Sequence, residues 1–140
     1  MRSIRKANLE DIGGLSHCDS EFRISGRDEF VERAIRRDSG HVLEQEGKVI
    51  GVAVFDYTFF EHGFISLIYV RPGARRTGAG EALLRYLASI CQTPKIFSST
   101  NQSNLPMQAL FAKVGFEESG MIHNLDPNDP ELLYYKAVKG

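Results

Sequence analysis

The spacing of apolar side chains changes several times along this chain, and each change marks an element. Ser3 to Ala7 has the character of a short strand. Asn8 or Asp11 can cap a first helix running to about Cys18, although the Gly13-Gly14 pair weakens it. Phe30, Val31, Ala34 and Ile35 recur at helical spacing, which predicts a second helix from about Arg27 to Arg37 with Ser39-Gly40 as its stop. The period then shortens. Residues 41–45 and 48–57 are strand-like and joined by the tight-turn pair Glu46-Gly47. A turn at Glu61-His62-Gly63 leads into residues 64–70, which are apolar on both faces, as in a central strand. Residues 80–90 read as a helix burying Ala82, Leu83, Leu87 and Ile90. A strand at 95–99, a helix at 105–114 and strands at 116–122 and 132–138 follow, the last two separated by the turn-rich Leu125–Pro130 segment. The order β-α-α-β-β-β-α-β-α-β-β defines an α/β (α+β) fold, a single mixed, mostly antiparallel central sheet covered by helices.

Length and composition narrow this further. The 140 residues show no repeat, low-complexity tract or linker, so residues 1–140 are expected to form a single domain. With 42% hydrophobic residues, nine Phe and five Tyr, the chain can build a core, which argues against disorder. No apolar run approaches a membrane span, and the first residues lack a signal-peptide core. Cys18 and Cys91 make neither a disulfide framework nor a metal-ligand pattern, and His17 and His41 add no convincing spacing. A reduced, cytoplasmic protein without a metal is the expectation.

The net charge of −1 conceals a segregation. Residues 1–70 carry nine Lys/Arg against twelve Asp/Glu, residues 71–116 carry six against one, and residues 117–140 carry two against five. A basic middle between acidic ends suits an anionic ligand bound centrally and a cationic one near the tail. Its six basic residues do not form a stripe and have no interleaved aromatic platform, which argues against nucleic-acid binding.

The segment Val70-Arg71-Pro72-Gly73-Ala74-Arg75-Arg76-Thr77-Gly78-Ala79-Gly80 lies between the apolar strand and an amphipathic helix. Gly78 and Gly80 remove side chains where the loop becomes a helix, so backbone N–H groups can approach a ligand. First-turn amides have no intrahelical acceptor and carry the positive end of the helix dipole. They suit phosphate oxygens. Arg75 and Arg76 add charge-assisted donors, and no acid intervenes from Arg71 to Gly80. A dinucleotide-binding loop fails two checks: Leu83 replaces its third small residue, and no acid lies between Glu81 and Glu117. The Gly-Lys-Ser/Thr ending of a P-loop is also missing.

Arg75-x-x-Gly78-x-Gly80, preceded by an apolar strand and Val70-x-Pro72, resembles the acetyl-coenzyme A signature of the GNAT superfamily of N-acetyltransferases. A second signature of that family follows in Asn104 and Ala109-Leu110-Phe111-x-Lys113-x-Gly115-Phe116. The predicted element order is similar to the GNAT acyl-CoA N-acyltransferase fold over essentially the whole chain. The resemblance implies an acyltransferase using acetyl-CoA as cosubstrate. It implies that the backbone of Ile68, Tyr69 and Val70 pairs with the pantetheine arm, and that Arg75, Arg76, Thr77, Gly78, Ala79 and Gly80 hold the pyrophosphate. It further implies that Asn104 contacts the pantetheine and that the Met107–Phe111 face lines the thioester channel. Dimers are frequent in the family, so a homodimer is one expectation.

Catalysis is less legible. Many GNAT enzymes protonate the leaving thiolate with a Tyr where this chain has Phe111. Tyr134 and Tyr135 alternate faces of the last strand, so one points inward and is a candidate acid. Ser66 is the polar residue on the central-strand face where family members place a base. Glu61, His62 and His123 are further acid–base candidates, and solvent is another. Asp126, Asp129 and Glu131 fall in the segment the resemblance places beside the acceptor pocket, where carboxylates would attract a cationic amine. Asp-Pro and Asn-Asp-Pro are equally turn formers. Glu21, Arg23, Arg27, Asp28 and Glu29 are candidates for the acceptor rim. The function expected is transfer of acetyl to a primary amine of a small molecule or protein, by direct attack in a ternary complex. The alternative is a coenzyme A-binding module with little catalysis.

Overall fold

The computed structural model of the protein describes residues 1–18 and 26–138, and the side chains of residues 16–18 are outside it. Glu21 and Arg23 of the expected acceptor rim, and the side chains of His17 and Cys18, therefore lie outside the described residues. Seven strands and four α-helices are formed among the described residues: β1 (Arg2–Lys6), α1 (Leu9–Cys18), α2 (Arg27–Arg36), β2 (Gly40–Gln45), β3 (Lys48–Phe59), β4 (His62–Val70), α3 (Ala79–Ile90), β5 (Lys95–Asn101), α4 (Leu105–Val114), β6 (Glu117–Ile122) and β7 (Glu131–Ala137). A 3-10 turn at Pro72–Ala74 precedes α3. The strands form one open, mixed sheet in the order β1-β2-β3-β4-β5-β7-β6. Two compact units divide the chain, residues 1–55 with 67–83 and residues 56–66 with 84–140.

In the first unit β1 runs antiparallel to β2, and β2 to β3, with a bulge between Leu43 and Glu44. Leu15 of α1, Val31 and Ala34 of α2, and Val42, Val52, Val54 and Tyr69 of the strands make its core. Leu15 shows why α1 survives its two glycines: burial of that leucine outweighs the roughly 1 kcal/mol per residue that glycine costs in a helix. The start of α1 is tied by a charge network. Arg5 donates to both Asp11 oxygens and to Glu44, all at 2.9 Å, while the Asn8 amide donates to Asp11 at 2.7 Å. Burial works to raise the Asp11 carboxyl, but these donors prevail and hold it below its ordinary range. Asp28 and Glu29 open α2 and Arg33 and Arg36 close it, which complements the helix dipole.

In the second unit β5 is central, parallel to β4 and antiparallel to β7, with β6 beyond β7 as an exposed edge. The parallel register runs from Gly63–Ile96 to Ile65–Ser98, where the Ser98 hydroxyl donates to the Ile65 carbonyl at 2.8 Å. The expected turn at 61–63 falls earlier. Phe60 and Glu61 both take left-handed φ, +50° and +60°, so they form the two-residue hairpin turn and His62 already belongs to β4. The strand aromatics hold this register, with Phe59 stacked on Phe64 at 4.8 Å. Helix α4 ends at Gly115 with φ +97°, and the Phe116 amide returns to the Phe111 carbonyl.

Candidate functional site

The Arg71–Gly80 turn belongs to the first unit and is built around departures from ordinary backbone. Arg76 and Gly78 both have positive φ, +65° and +86°, with Thr77 between them at negative φ. Alternation of this kind curls N–H groups toward one side, as in anion-binding nests. Ala82 is bonded to the Gly78 carbonyl at 3.0 Å, so the amides of Ala79 and Gly80 ahead of it have no carbonyl one turn back. Gly78 is exposed, and a Cβ there would meet only the Arg2 guanidinium, 3.9 Å away. Arg75 is shaped by its neighbours: its Nε donates to the Val70 carbonyl at 2.9 Å and its guanidinium lies 5.5 Å from the Tyr69 ring centroid.

One cation that sequence reasoning did not assign to this turn joins it, and a second lies beside the preceding Tyr69. Arg2, at the start of β1, donates to the Thr77 hydroxyl at 2.7 Å, and that hydroxyl donates onward to the Ala74 carbonyl. Arg27, at the start of α2, sits 5.0 Å from the Tyr69 centroid. Tyr69 is buried and held close to β3, where the Tyr69 carbonyl lies 3.3 Å from the place a Gly51 Cβ would occupy. No local pattern announces Arg2 or Arg27, because both arrive through tertiary packing. The unit thus gathers Arg2, Arg75 and Arg76 at a turn that contains no acid, with Arg27 beside the preceding Tyr69.

The second unit carries the Asn104–Phe116 segment. Asn104 is the N-cap of α4, its Oδ1 accepting from the Met107 amide at 3.1 Å. Asn104 is exposed, and its Nδ2 meets no partner among the described residues. Met107 is half-buried, whereas Phe111 has no exposed surface. The Phe111 ring stacks on Tyr134 with centroids 4.6 Å apart and planes at 24°, and it also packs on Phe116. Of the alternating tyrosines, Tyr134 is the inward one, with 5% of its surface exposed, and burial pushes its phenol up. Tyr135 is half-buried near Phe97. Ser66 is exposed, as is His123, while His62 donates from Nδ1 to the Phe60 carbonyl within the hairpin turn.

The carboxylates of the β6–β7 loop and the start of β7 are engaged by the end of β5 and the β5–α4 turn. Asn101 Nδ2 donates to Asp126 at 2.8 Å, Ser103 donates from both its amide and its hydroxyl to Asp129, and Ser99 donates to Glu131 at 2.6 Å. One oxygen each of Asp126 and Glu131 has no partner among the described residues. His41, expected as structural, is buried against Phe55 and its imidazole is pushed down to about 4, first by burial and then by the charge of Lys6. Cys91 is a buried free thiol. Among the described residues no group of three His, Cys, Asp or Glu could hold a metal, and no helix is long and apolar enough to cross a membrane.

An open mixed sheet bearing a glycine-rich, basic helix start after its fourth strand defines a class, and residues 9–116 match the model of the acetyltransferase (GNAT) family. The chain belongs to that family, and it is an acyltransferase. A GNAT-family acetyltransferase from Bacillus cereus ATCC 10987 is 35% identical, with 98% of this chain and 97% of that one aligned at a TM-score of 0.87. The ribosomal-protein-S18-alanine N-acetyltransferase of Escherichia coli shares the fold at 18% identity, covering 100% and 96% with a TM-score of 0.72. YncA from Salmonella typhimurium, solved with its cofactor acetyl-CoA, does so at 17% identity, covering 99% and 94% with a TM-score of 0.74. No curated protein matches the chain.

Proposed function

We propose that the protein is an N-acetyltransferase that moves the acetyl group of acetyl-CoA to a primary amine of a small molecule or protein in a ternary complex. The turn at Arg71–Gly80 is the observation that carries this reading. Leading helix amides, two left-handed positions and the arginines Arg2, Arg75 and Arg76, with no acid among the turn residues, suit a diphosphate better than any neutral or cationic ligand. Arg75, Arg76, Thr77, Gly78, Ala79 and Gly80 hold the pyrophosphate. The backbone of Ile68, Tyr69 and Val70 pairs with the pantetheine as an added strand would, and Asn104 donates Nδ2 to it.

In the reaction the amine nitrogen bonds to the thioester carbonyl carbon and the carbon–sulfur bond breaks. The amine gives up one proton and the departing thiolate takes one. A main-chain N–H near Val70 serves the oxyanion. Tyr134 is the best-supported acid, because it is the polar ring packed on Phe111 and its phenol stays protonated through neutral pH. Ser66 and Tyr135 are the remaining candidates. Asp126 and Glu131 draw the cationic amine through their uncommitted oxygens.

Consumption of acetyl-CoA with a panel of amines tests the proposal. Thiol release that depends on one amine class is expected. Binding of coenzyme A without turnover against any amine would return the alternative of a binding module, and absence of binding would remove the diphosphate assignment.

A further inference from the structure

We propose that Asp129, from the β6–β7 loop, is a positioning residue for the pantetheine arm of coenzyme A, acting through Ser103 on Asn104. The inference rests on the cosubstrate reading above and adds a residue outside both family signatures. Asp129 Oδ1 accepts from the Ser103 amide at 3.0 Å and Oδ2 from the Ser103 hydroxyl at 2.6 Å. Both oxygens are thus committed to the residue immediately before the α4 N-cap. The Asp129 carbonyl accepts from Asn101 Nδ2 at 3.2 Å, and the same Nδ2 reaches Asp126. The Gln102 amide bonds to the Pro130 carbonyl at 2.8 Å, and Gln108 of α4 returns to the Gln102 carbonyl at 2.6 Å.

The clasp fixes three consecutive residues, Asn101 to Ser103, on the loop side. Asn104 follows with its amide nitrogen bonded to the Asn101 carbonyl and its Oδ1 bonded to Met107. An exposed N-cap asparagine has two free side-chain torsions and would sample several rotamers. Pinning the preceding backbone favours the rotamer the structure holds, in which Oδ1 caps the helix through Met107 and Nδ2 has no partner among the described residues. The carboxylate matters because charge-assisted bonds are about twice as strong as neutral ones, and a bidentate acceptor fixes direction as well as distance. This role also separates Asp129 from Asp126 and Glu131, which each keep an oxygen for other partners.

The experiment compares two ligands on the full chain by calorimetry: coenzyme A, and 3′-phosphoadenosine 5′-diphosphate, a truncated nucleotide that keeps the diphosphate and lacks only the pantetheine arm. Asp129→Ala is expected to weaken coenzyme A about tenfold while the truncated nucleotide stays within about twofold. Asp129→Asn, which keeps an acceptor for the Ser103 amide and can donate to its hydroxyl, should recover most of that loss. Ser103→Ala, which removes only the hydroxyl contact, should cost about two- to threefold for coenzyme A alone and serves if Asp129→Ala does not fold. Equal losses for both ligands would overturn the proposal, since a merely structural residue weakens both. Undiminished coenzyme A binding by Asp129→Ala would overturn it too. If the wild type bound the truncated nucleotide and coenzyme A equally, the pantetheine contact itself would fall. If it bound neither, the cosubstrate reading would fall first.

Discussion

The Arg71–Gly80 turn and the β6–β7 loop are both short, exposed and charged, yet their polar groups meet opposite fates. In the turn, donors are left over. A helix start cannot satisfy its own leading amides, and the nearby side chains, Arg2, Arg75 and Arg76, are donors as well. In the loop, acceptors are mostly consumed. Asp129 gives both oxygens to Ser103, and Asp126 and Glu131 each give one to the chain. A run of charge in a sequence therefore does not by itself say whether the charge is available to a ligand. The count of partners that the fold supplies decides it.

Several substitutions test this contrast. Gly78→Leu places a side chain where ligand oxygens would approach and forces an L-residue to φ +86°, so coenzyme A binding should fall by about a hundredfold or more for roughly 1–2 kcal/mol of stability. Calorimetry beside a denaturant melt separates the two effects, and retained affinity would mean the turn's amides are not used. Tyr134→Phe should lower turnover about a hundredfold while coenzyme A binding holds, as expected for loss of a general acid. An unaltered kcat would hand that role to Ser66, Tyr135 or solvent. Phe111→Tyr would bury a hydroxyl at a site with no exposed surface and should cost about 1–3 kcal/mol in a urea melt without raising turnover. The loop responds least: Asp126→Asn with Glu131→Gln should raise the Michaelis constant of a cationic amine about threefold, with ionic strength erasing the difference.

His41 supplies a control in which burial, with a smaller push from the charge of Lys6, governs a polar group. Its folded imidazole titrates at about 4, below the 6.5 of an exposed one. Between those values the unfolded chain binds the extra proton, so stability is full above about pH 6.5, falls as pH drops toward 4, and then levels. Denaturant melts across that range should show the slope, and His41→Phe should flatten it.

The secondary structure was largely legible because it depends on local spacing. The helix at 27–36 follows from Phe30, Val31, Ala34 and Ile35, and the hairpin at 45–48 from Glu46-Gly47, both with positive φ. The β3–β4 turn was displaced because Phe60 and Glu61 are not residues that advertise left-handed backbone, and only pairing across the hairpin puts them there. Which of Tyr134 and Tyr135 points inward was likewise open. Alternation says that they differ, whereas burial against Phe111 says which is which.

By itself the sequence determined the order of elements and the glycine-rich helix start with its arginines, since both are matters of residue type at short range. Only the tertiary structure brought Arg2 to Thr77 and Arg27 to Tyr69, closed the Asp129 clasp on Ser103, and enclosed Phe111 beneath Tyr134. These pairings join residues about 25 to 75 positions apart. No local pattern encodes them, because each partner is chosen by sheet register and helix packing rather than by its neighbours along the chain.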